Sequence, residues 1–213
     1  MREGVRLLLV RHGHTDWLVP PANRLAGRLP GISLNARGRA EAAALAERLA
    51  TAPPDRIVAS PLERTVETAT IIGRRVDRPV ITDERIIETA MGPWEGLAVG
   101  EIIARFPKAW RTWRTAPTRM TLPGMESVAA IGDRMWLAAC EYASAGGTTL
   151  LVSHQDPLLA LICRLLDLPL DAMRRMDLSP GSLTIFEVTD RRPVLVTLNS
   201  LSGETALRQG AAP

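Results

Sequence analysis

The segment that decides the fold is Val5-Arg6-Leu7-Leu8-Leu9-Val10-Arg11-His12-Gly13-His14-Thr15, near the amino-terminal end of the chain. It opens with a short, nearly continuous apolar run, which is typical of a strand buried on both faces of a parallel sheet. Polar and chemically reactive side chains follow as soon as this run ends. Because ligands of open α/β sheets bind beyond the carboxyl ends of the strands, this order predicts a functional site directly after the first strand.

Further strands and helices alternate along the rest of the chain. Strands are predicted over 56–59, 79–82, 148–153, 183–188 and 194–199. Helices are predicted to begin after Asn35 as N-cap, at Pro61 within a capping box from Ser60 to Glu63, and at Pro157 with Asp156 as cap. The alternation predicts a three-layer α/β/α sandwich around a mostly parallel central sheet of about six strands.

A long, mainly helical insert, residues 97–145, separates the predicted strands 79–82 and 148–153. Four tryptophans lie in or beside it: Trp94, Trp110, Trp113 and Trp136. We expect the insert to cover the carboxyl edge of the sheet as a lid or cap, with its tryptophans used mainly in packing. We further expect residues 1–200 to form one domain and residues 201–213 to be a flexible tail.

Composition excludes several classes of protein. The chain has 213 residues, 46% of them hydrophobic and 23% charged, which suits one globular core. The net charge is +3, but the arginines are scattered among acids and aromatics are only 4%, which argues against nucleic acid as a partner. The apolar runs are too short for a membrane span or a signal peptide, so we expect a soluble cytoplasmic protein without a membrane partner. Both cysteines, Cys140 and Cys163, lie among apolar residues and are expected to be buried and unpaired.

Several reactive side chains follow predicted strands, and their convergence would suit a phosphate ester. Arg11 and Arg64 carry planar guanidinium groups that match phosphate oxygens, and the helix starts after Ser60 and His154 offer free N–H groups. Within such a cradle a neutral imidazole can attack phosphorus in line when a carbonyl holds its other nitrogen as a donor. We assign this nucleophilic role to His12.

A carboxyl group must protonate the departing oxygen, and a raised pKa lets it hold that proton near neutral pH. The candidates are Asp83, Glu84, Glu88 and Glu95. A single sequence does not show which of them faces the pocket, but the spacing to the glycines that follow favours Glu88.

At this point the chain resembles the histidine phosphatase superfamily, in its phosphoglycerate mutase-like branch 1. The motifs that carry the resemblance are residues 9–15 (LVRHGHT), 60–65 (SPLERT), Glu88 with 92–96 (GPWEG), and 152–154 (VSH). They occur in the family's order over nearly the whole chain, which makes them far more specific together than singly. The resemblance implies a phosphohistidine on His12, phosphate bound by Arg11, Arg64 and His154, Glu88 as proton donor, and neither metal nor other cofactor.

Three positions depart from the family pattern. Asn23 follows Val19-Pro20-Pro21-Ala22, whereas family members often carry an asparagine closer to the first motif. His14 stands where mutases are commonly acidic, and Gln155 replaces a glycine after the second histidine. We include Asn23 and Gln155 among the substrate-binding residues and expect the His14 side chain to face solvent. Residues 25–31 (LAGRLPG) resemble a bacterial phosphatase-like subgroup.

These features favour a phosphomonoesterase acting on a small phosphorylated metabolite. Two alternatives stay open: a phosphoglycerate-type mutase, which returns the phosphoryl group to a second hydroxyl, and a phospho-ligand binding module that has lost turnover. The short chain, without extra arms around the pocket, favours hydrolysis over the mutase. The sequence does not decide between a monomer and a homodimer.

Other kinds of site are disfavoured. The three histidines have no zinc-ligand spacing, and the adjacent arginines would repel a cation. A serine hydrolase is excluded because Ser153 lies in no G-x-S-x-G motif. Five further arginines are candidate substrate contacts for which a solvated position is the default: Arg28, Arg37, Arg111, Arg114 and Arg119.

Overall fold

The computed structural model describes residues 4–189 and 192–202. Its strands are β1 (Val5–Arg11), β2 (Arg56–Ala59), β3 (Val80–Thr82), β4 (Thr148–Ser153), β5 (Leu183–Val188) and β6 (Pro193–Ser200). Its helices are α1 (Ala36–Leu49), α2 (Glu63–Val76), α3 (Val99–Arg105), α4 (Pro107–Thr115), α5 (Val128–Ser144) and α6 (Gln155–Leu165). Most of the expected flexible tail, residues 203–213, lies outside the described residues.

Within the described residues, six strands form one sheet in the order β3-β2-β4-β1-β5-β6. β3, β2, β4 and β1 run parallel to one another, whereas β5 and β6 pair antiparallel. The predicted α/β fold with a mostly parallel sheet is therefore confirmed. Arg11 pairs with Ser153 at the end of β1 and β4, and Ala59 pairs with Val152 where β2 ends. Three carboxyl ends thus meet at one edge, where reactive side chains follow.

The apolar run of β1 is buried because helices cover both faces of the sheet. Leu7 and Leu9 belong to the core that includes α5 and α6, while Leu8 and Val10 belong to the core that includes α1 and α2. None of the four side chains is more than 5% exposed. Full burial of one such aliphatic side chain contributes about 1.5–3 kcal/mol, so this run anchors both layers.

Helix α2 starts later than the sequence predicts, at Glu63 instead of Pro61, and no side chain caps it. The Ser60 hydroxyl is hydrogen-bonded to His154 Nε2 at 2.8 Å, and the Glu63 carboxylate accepts the Gly31 backbone N–H at 2.9 Å. The predicted capping box is wrong because both of its side chains bind other partners.

Helix α6 starts earlier than the sequence predicts. It begins at Gln155 with His154 as N-cap residue, and no side chain caps it. Asp156 is therefore not the cap. It lies in the first turn, where a negative charge suits the helix dipole, and its Oδ1 accepts from Arg174 Nη1 at 2.6 Å.

Residues 97–145 contain α3, α4 and α5. Ahead of them, the fully buried Trp94 packs against Phe106, Trp110 and Trp113, with ring centroids 5.8–6.3 Å apart. Because these partners belong to α4 and the residue before it, this cluster fixes α4 on the domain.

Both cysteines are free, as the sequence predicts, but only one of them is buried. Cys163 lies in the core of α6, whereas Cys140 is exposed on α5, so the expectation of burial is wrong for Cys140. Among the described helices, none has the length and apolar character needed to cross a membrane.

Candidate active site

Two histidines meet at the carboxyl edge of the sheet. His12 follows β1 and His154 follows β4, so the parallel pairing of these strands holds the two residues side by side. The His12 backbone N–H donates to the Ser153 carbonyl at 3.1 Å, and the two imidazole centroids lie 5.2 Å apart. The structure thus brings together the histidines that the sequence places at the ends of separate strands.

His12 is held in the form that a nucleophile requires. Its Nδ1 lies 2.8 Å from the Gly13 carbonyl oxygen, which can only accept a hydrogen bond. Nδ1 therefore carries the proton, and Nε2 keeps its lone pair. Burial, followed by the positive charges of Arg64 and Arg11, holds the pKa of His12 well below its ordinary value. The ring is neutral at pH 7, and the expected carbonyl partner is confirmed.

The glycine after His12 is required by a close approach of two backbones. A Cβ at Gly13 would lie 2.5 Å from the carbonyl oxygen of Gly38, in the first turns of α1. The Gly13 N–H donates to Thr68 Oγ1 on α2 at 3.2 Å. The loop that carries His12 is therefore seated between α1 and α2, and no larger residue fits at position 13.

Arg64 is a buried cation with an unused donor. Its side chain lies in the first turn of α2 and is 1% exposed. Nη2 donates to the Gly27 carbonyl at 2.8 Å, while Nη1 is buried without a hydrogen-bond partner among the described residues. Such an arrangement costs free energy unless an anion binds there. Arg64 thus has the properties of an anion-binding residue.

Arg11 lies at the carboxyl end of β1 and is fixed by two acceptors. Its Nη1 donates to Gln155 Oε1 at the start of α6 and to the Leu178 carbonyl. These contacts orient the guanidinium at the pocket that also contains His12 and Arg64.

His154 is completely buried beside His12. Its Nε2 is hydrogen-bonded to Ser60 Oγ, and its Nδ1 lies 3.8 Å from Glu88 Oε2 without a hydrogen-bond partner among the described residues. Burial, then the charges of Arg64, His12 and Arg11, hold the pKa of His154 well below its ordinary value. In the described part of the chain, the residues that line the pocket do not include His154, but they include Glu88, which its Nδ1 approaches.

Glu88 is the carboxyl that the structure brings to the pocket. Of the four candidates only Glu88 lines it. Asp83 is paired with Arg85 at 2.7 Å, and Glu95 accepts a backbone N–H from Arg28. The Glu88 side chain is 17% exposed. Burial, and next the negative charge of Asp156, raise the pKa of Glu88 to about 7, so it carries a proton about half of the time at neutral pH.

These groups open into one pocket of about 280 Å³. Every predicted site residue except His154 lines it: Arg11, His12, Asn23, Arg64, Glu88 and Gln155. Sequence analysis missed several other lining residues, among them Trp17, Arg24, Asp156 and Arg174, and expected Trp110 and Trp113 to be used mainly in packing. No sequence motif assigns these residues to the pocket, because they come from loops, 3₁₀ turns, α4 and the start of α6, which meet only in the folded chain.

The two remaining substrate-binding candidates, Gln155 and Asn23, differ in how firmly they are held. Gln155 is held by Arg11, as described above. Asn23 is exposed at the margin of the pocket and has a left-handed backbone with φ of 32°. That conformation is tolerated by asparagine better than by most residues. Asn23 reaches the pocket despite the inserted prolines before it.

His14 does not face solvent, so that expectation is wrong. Its Nδ1 lies 2.7 Å from Glu41 Oε1, and its backbone N–H donates to Glu41 Oε2 at 3.0 Å. The side chain is only 13% exposed. His14 therefore binds α1 instead of substrate, because the carboxylate of Glu41 satisfies both of its donors.

The five further arginines fall into three groups. Arg114 lines the pocket. Arg28 contacts the Glu88 segment instead, with its Nε 2.8 Å from the Glu88 carbonyl oxygen. Arg37, Arg111 and Arg119 are exposed, which agrees with the solvated positions expected for them. Among the residues the structure describes, no group of three or more His, Cys, Asp or Glu side chains is arranged to hold a metal ion.

Comparison with known proteins places this site in a family. The family model for the histidine phosphatase superfamily (branch 1) matches residues 7–201. Phosphoserine phosphatase 1 of Hydrogenobacter thermophilus is 33% identical over 197 residues, which cover 92% of each chain. Glucosyl-3-phosphoglycerate phosphatase of Mycolicibacterium vanbaalenii is 35% identical over 175 residues, or 78% of this chain and 76% of that protein.

Solved structures with the same fold agree with these relatives. Bacillus stearothermophilus YhfR superposes with a TM-score of 0.87 and 29% identity over 93% of this chain and 98% of its own. A mycobacterial glucosyl-3-phosphoglycerate phosphatase, solved as a complex with VO3, superposes with a TM-score of 0.84 and 31% identity over 92% of this chain and 99% of its own.

Proposed function

The chain belongs to the histidine phosphatase superfamily, branch 1, and is a phosphatase; we propose that it hydrolyses a small phosphomonoester with His12 as nucleophile and Glu88 as proton donor. Arg11, Arg64 and His154 bind the phosphoryl group, and Gln155 and Asn23 contact the substrate. The observation that carries the proposal is the neutral His12 ring, fixed by the Gly13 carbonyl and placed in one pocket with two guanidinium groups.

The reaction takes place in two steps. His12 Nε2 attacks phosphorus in line, the bond to the ester oxygen breaks, and Glu88 gives its proton to that oxygen. The unused Arg64 Nη1 donor and the unpaired Nδ1 of His154 supply hydrogen bonds as charge develops on the phosphoryl oxygens. A water then attacks the phosphohistidine while Glu88 takes its proton, and inorganic phosphate leaves.

The direct test is release of phosphate from p-nitrophenyl phosphate in excess chelator. We expect turnover to persist, because the proposed chemistry uses side chains only. Loss of activity with the chelator and recovery with a divalent metal would contradict the proposal.

The mutase alternative uses the same intermediate and differs in product. It would give an isomerised substrate in place of inorganic phosphate, so nuclear magnetic resonance of the products of a phosphoglycerate separates the two. We expect inorganic phosphate.

The binding-module alternative predicts a phosphate-binding site that does not hydrolyse its ligand. Replacing Glu88 by Gln tests it, since removal of a general acid lowers the rate about 10²- to 10⁴-fold. If the wild-type protein is already as slow as Glu88→Gln, the binding module is correct. The pKa of Glu88, raised to about 7, supports the enzyme instead, because a passive binding residue gains nothing from it.

The substrate itself is best sought by screening phosphorylated metabolites for released phosphate. Phosphoserine and glucosyl-3-phosphoglycerate head the list, since two relatives are named for their hydrolysis. We also propose that α4 and its neighbours act as a cap, because Trp110, Trp113 and Arg114 line the pocket. A cytoplasmic location, supported by two free cysteines, completes the proposal, and light scattering decides between a monomer and a homodimer.

A further inference from the structure

The segment that carries Glu88 has no regular secondary structure of its own. It runs between two single turns of 3₁₀ helix, Glu84–Ile86 and Gly92–Trp94, so no helix or sheet satisfies all of its carbonyls. Side chains from elsewhere do so instead. Ser153 Oγ, for example, donates to the Ile86 carbonyl at 2.7 Å. The position of Glu88 therefore depends on groups that are distant in sequence.

Two arginines hold the carbonyl of Glu88 itself. Arg28 Nε donates to it at 2.8 Å, and Arg134 Nη2 approaches it at 3.4 Å. Arg134 Nη1 also donates to the Arg85 carbonyl at 2.7 Å. The backbone is thus held at Glu88 and again three residues before it.

Glu126 joins the two arginines. Its Oε2 accepts from Arg28 Nη2 at 2.8 Å and from Arg134 Nη2 at 3.0 Å, and its Oε1 accepts from Arg134 Nε at 2.8 Å. Its backbone N–H donates to the Ala90 carbonyl at 2.9 Å. The side chains of Glu126 and Arg134 are each 15% exposed. Salt screens such shielded ion pairs little, and removing one partner leaves an uncompensated charge.

We propose that Glu126 is a positioning residue for the proton donor: it holds Arg28 and Arg134, and they hold the backbone of Glu88, so that its carboxyl stays at the pocket. The proposal rests on the proposed role of Glu88. Glu126, Arg28 and Arg134 are not among the described residues that line the pocket, so they act through Glu88 and not on the substrate.

A second link ties the same cluster to the phosphate-binding side. Arg28 directly follows Gly27, whose carbonyl accepts from Arg64 Nη2. Glu95 Oε1 accepts the backbone N–H groups of Arg28 and Met91, each at 3.1 Å. The loop that orients Arg64 and the segment that carries the acid are therefore fastened to each other, which sets the acid relative to the bound phosphoryl group.

The test exploits the need for a proton. Phenyl phosphate releases a phenolate that must be protonated, whereas 2,4-dinitrophenyl phosphate releases a phenolate that is stable without a proton. In Glu126→Gln we expect kcat/KM to fall about tenfold or more for phenyl phosphate and less than about threefold for the dinitrophenyl ester. Inhibition by inorganic phosphate should change less than about twofold, since Arg11, Arg64 and His154 remain. A purely structural defect would lower both kcat/KM values alike.

The matched control is Glu141→Gln, which removes a carboxylate on α5 that is paired with Arg85 at 2.7 Å but is exposed. We expect it to leave both kcat/KM values unchanged. The double variant Glu126→Gln with Glu88→Gln should be no slower with phenyl phosphate than Glu88→Gln alone, because the positioned group is gone. If Glu126→Gln does not fold by circular dichroism, Arg28→Gln should show the same dependence on the leaving group.

The outcomes separate this proposal from the function on which it rests. A wild-type protein that releases phosphate from neither ester refutes the phosphatase mechanism itself. An active wild type with equal losses for both esters in Glu126→Gln, or a further loss in the Glu88→Gln background, refutes the positioning role alone.

Discussion

His12 and His14 are two residues apart, yet their surroundings give them different chemistry. The carbonyl of Gly13 fixes the proton of His12 on Nδ1, and nearby guanidinium groups keep the ring uncharged. His14 instead faces the carboxylate of Glu41, an anion that binds it to α1. A short motif can therefore contain one histidine in the neutral form that a nucleophile requires and one that binds a neighbouring helix, and the partner of each ring decides which is which.

This difference predicts the result of labelling experiments. With a phosphorus-labelled substrate and a rapid quench at alkaline pH, the wild-type protein should carry an acid-labile phosphohistidine. His12→Gln should lose both the label and phosphate release, because His12 is the one histidine among the described residues that line the pocket. His14→Gln is the matched control and should keep the label; a labelled His12→Gln protein would show that another residue is the nucleophile.

The raised pKa of Glu88 predicts how the activity falls on the basic side of its pH profile. Burial and the charge of Asp156 raise its pKa to about 7, and the acid must be protonated to act. Activity should therefore fall as pH rises through about 7. In Asp156→Asn the repulsive charge is gone and Arg174 loses its partner, and both changes favour the ionised carboxyl. We expect the basic limb of kcat/KM to move to lower pH.

The check on this prediction is a pair of pH profiles. Glu88→Gln should lack the basic limb altogether at its much reduced rate. A limb that stays in place in Asp156→Asn would mean that Asp156 does not control the acid.

At the scale of elements, the first turn of α1 supports the loop that carries His12. Asn35 Oδ1 accepts the Gly38 N–H at 2.9 Å as N-cap, and the Asn35 N–H donates to the His14 carbonyl at 3.0 Å. Gly38 in turn packs against Gly13. The N-cap of α1 and the packing of the His12 loop therefore depend on the same residues.

Replacing Asn35 by Ala should therefore lower the free energy of unfolding by about 1 kcal/mol, the usual cost of losing an N-cap side chain. Urea denaturation measures this change. Asn35→Ser keeps an acceptor at the same place and should retain most of the stability; an equal loss in both variants would mean that the cap bond contributes little.

At the scale of the whole molecule, we expect an anion bound in the pocket to raise the stability of the folded protein. Side chains from three strand ends and an irregular segment surround the buried Arg64, whose Nη1 has no partner among the described residues. An oxyanion that binds the folded state alone raises its stability by about 2.7 kcal/mol when present at a hundred times its Kd. For a chain of this size that corresponds to about 5–10 °C in Tm.

Vanadate or phosphate should thus raise the Tm of the wild-type protein, as differential scanning calorimetry can measure. Arg64→Met should abolish this shift while leaving the ligand-free protein as stable as the wild type or more so, because a buried cation with an unused donor is removed. Retention of the full shift in Arg64→Met would show that the anion binds elsewhere.

Much of this architecture follows from sequence alone. The apolar run of β1 and the similar runs of β2, β4 and β5 have the length and flanking residues of buried strands, so their bounds were predictable to within a residue or two. The motif residues could be assigned to one site because the carboxyl ends of parallel strands share an edge. Helix starts were harder to predict: Ser60 and Asp156 look like caps, but tertiary partners use their side chains.

The sequence by itself determined the α/β fold and predicted the nucleophile and the cationic residues around it, because periodicity and local motifs can be read along the chain. Only the tertiary structure decided which of the candidate carboxyls lines the pocket, that His14 is bound to Glu41, that Trp17, Arg24 and Arg174 line the pocket, and that two arginines bind the Glu88 carbonyl. The physical reason is that burial, pKa and hydrogen-bond partners depend on side chains that are distant in sequence, and only the folded chain brings them within contact.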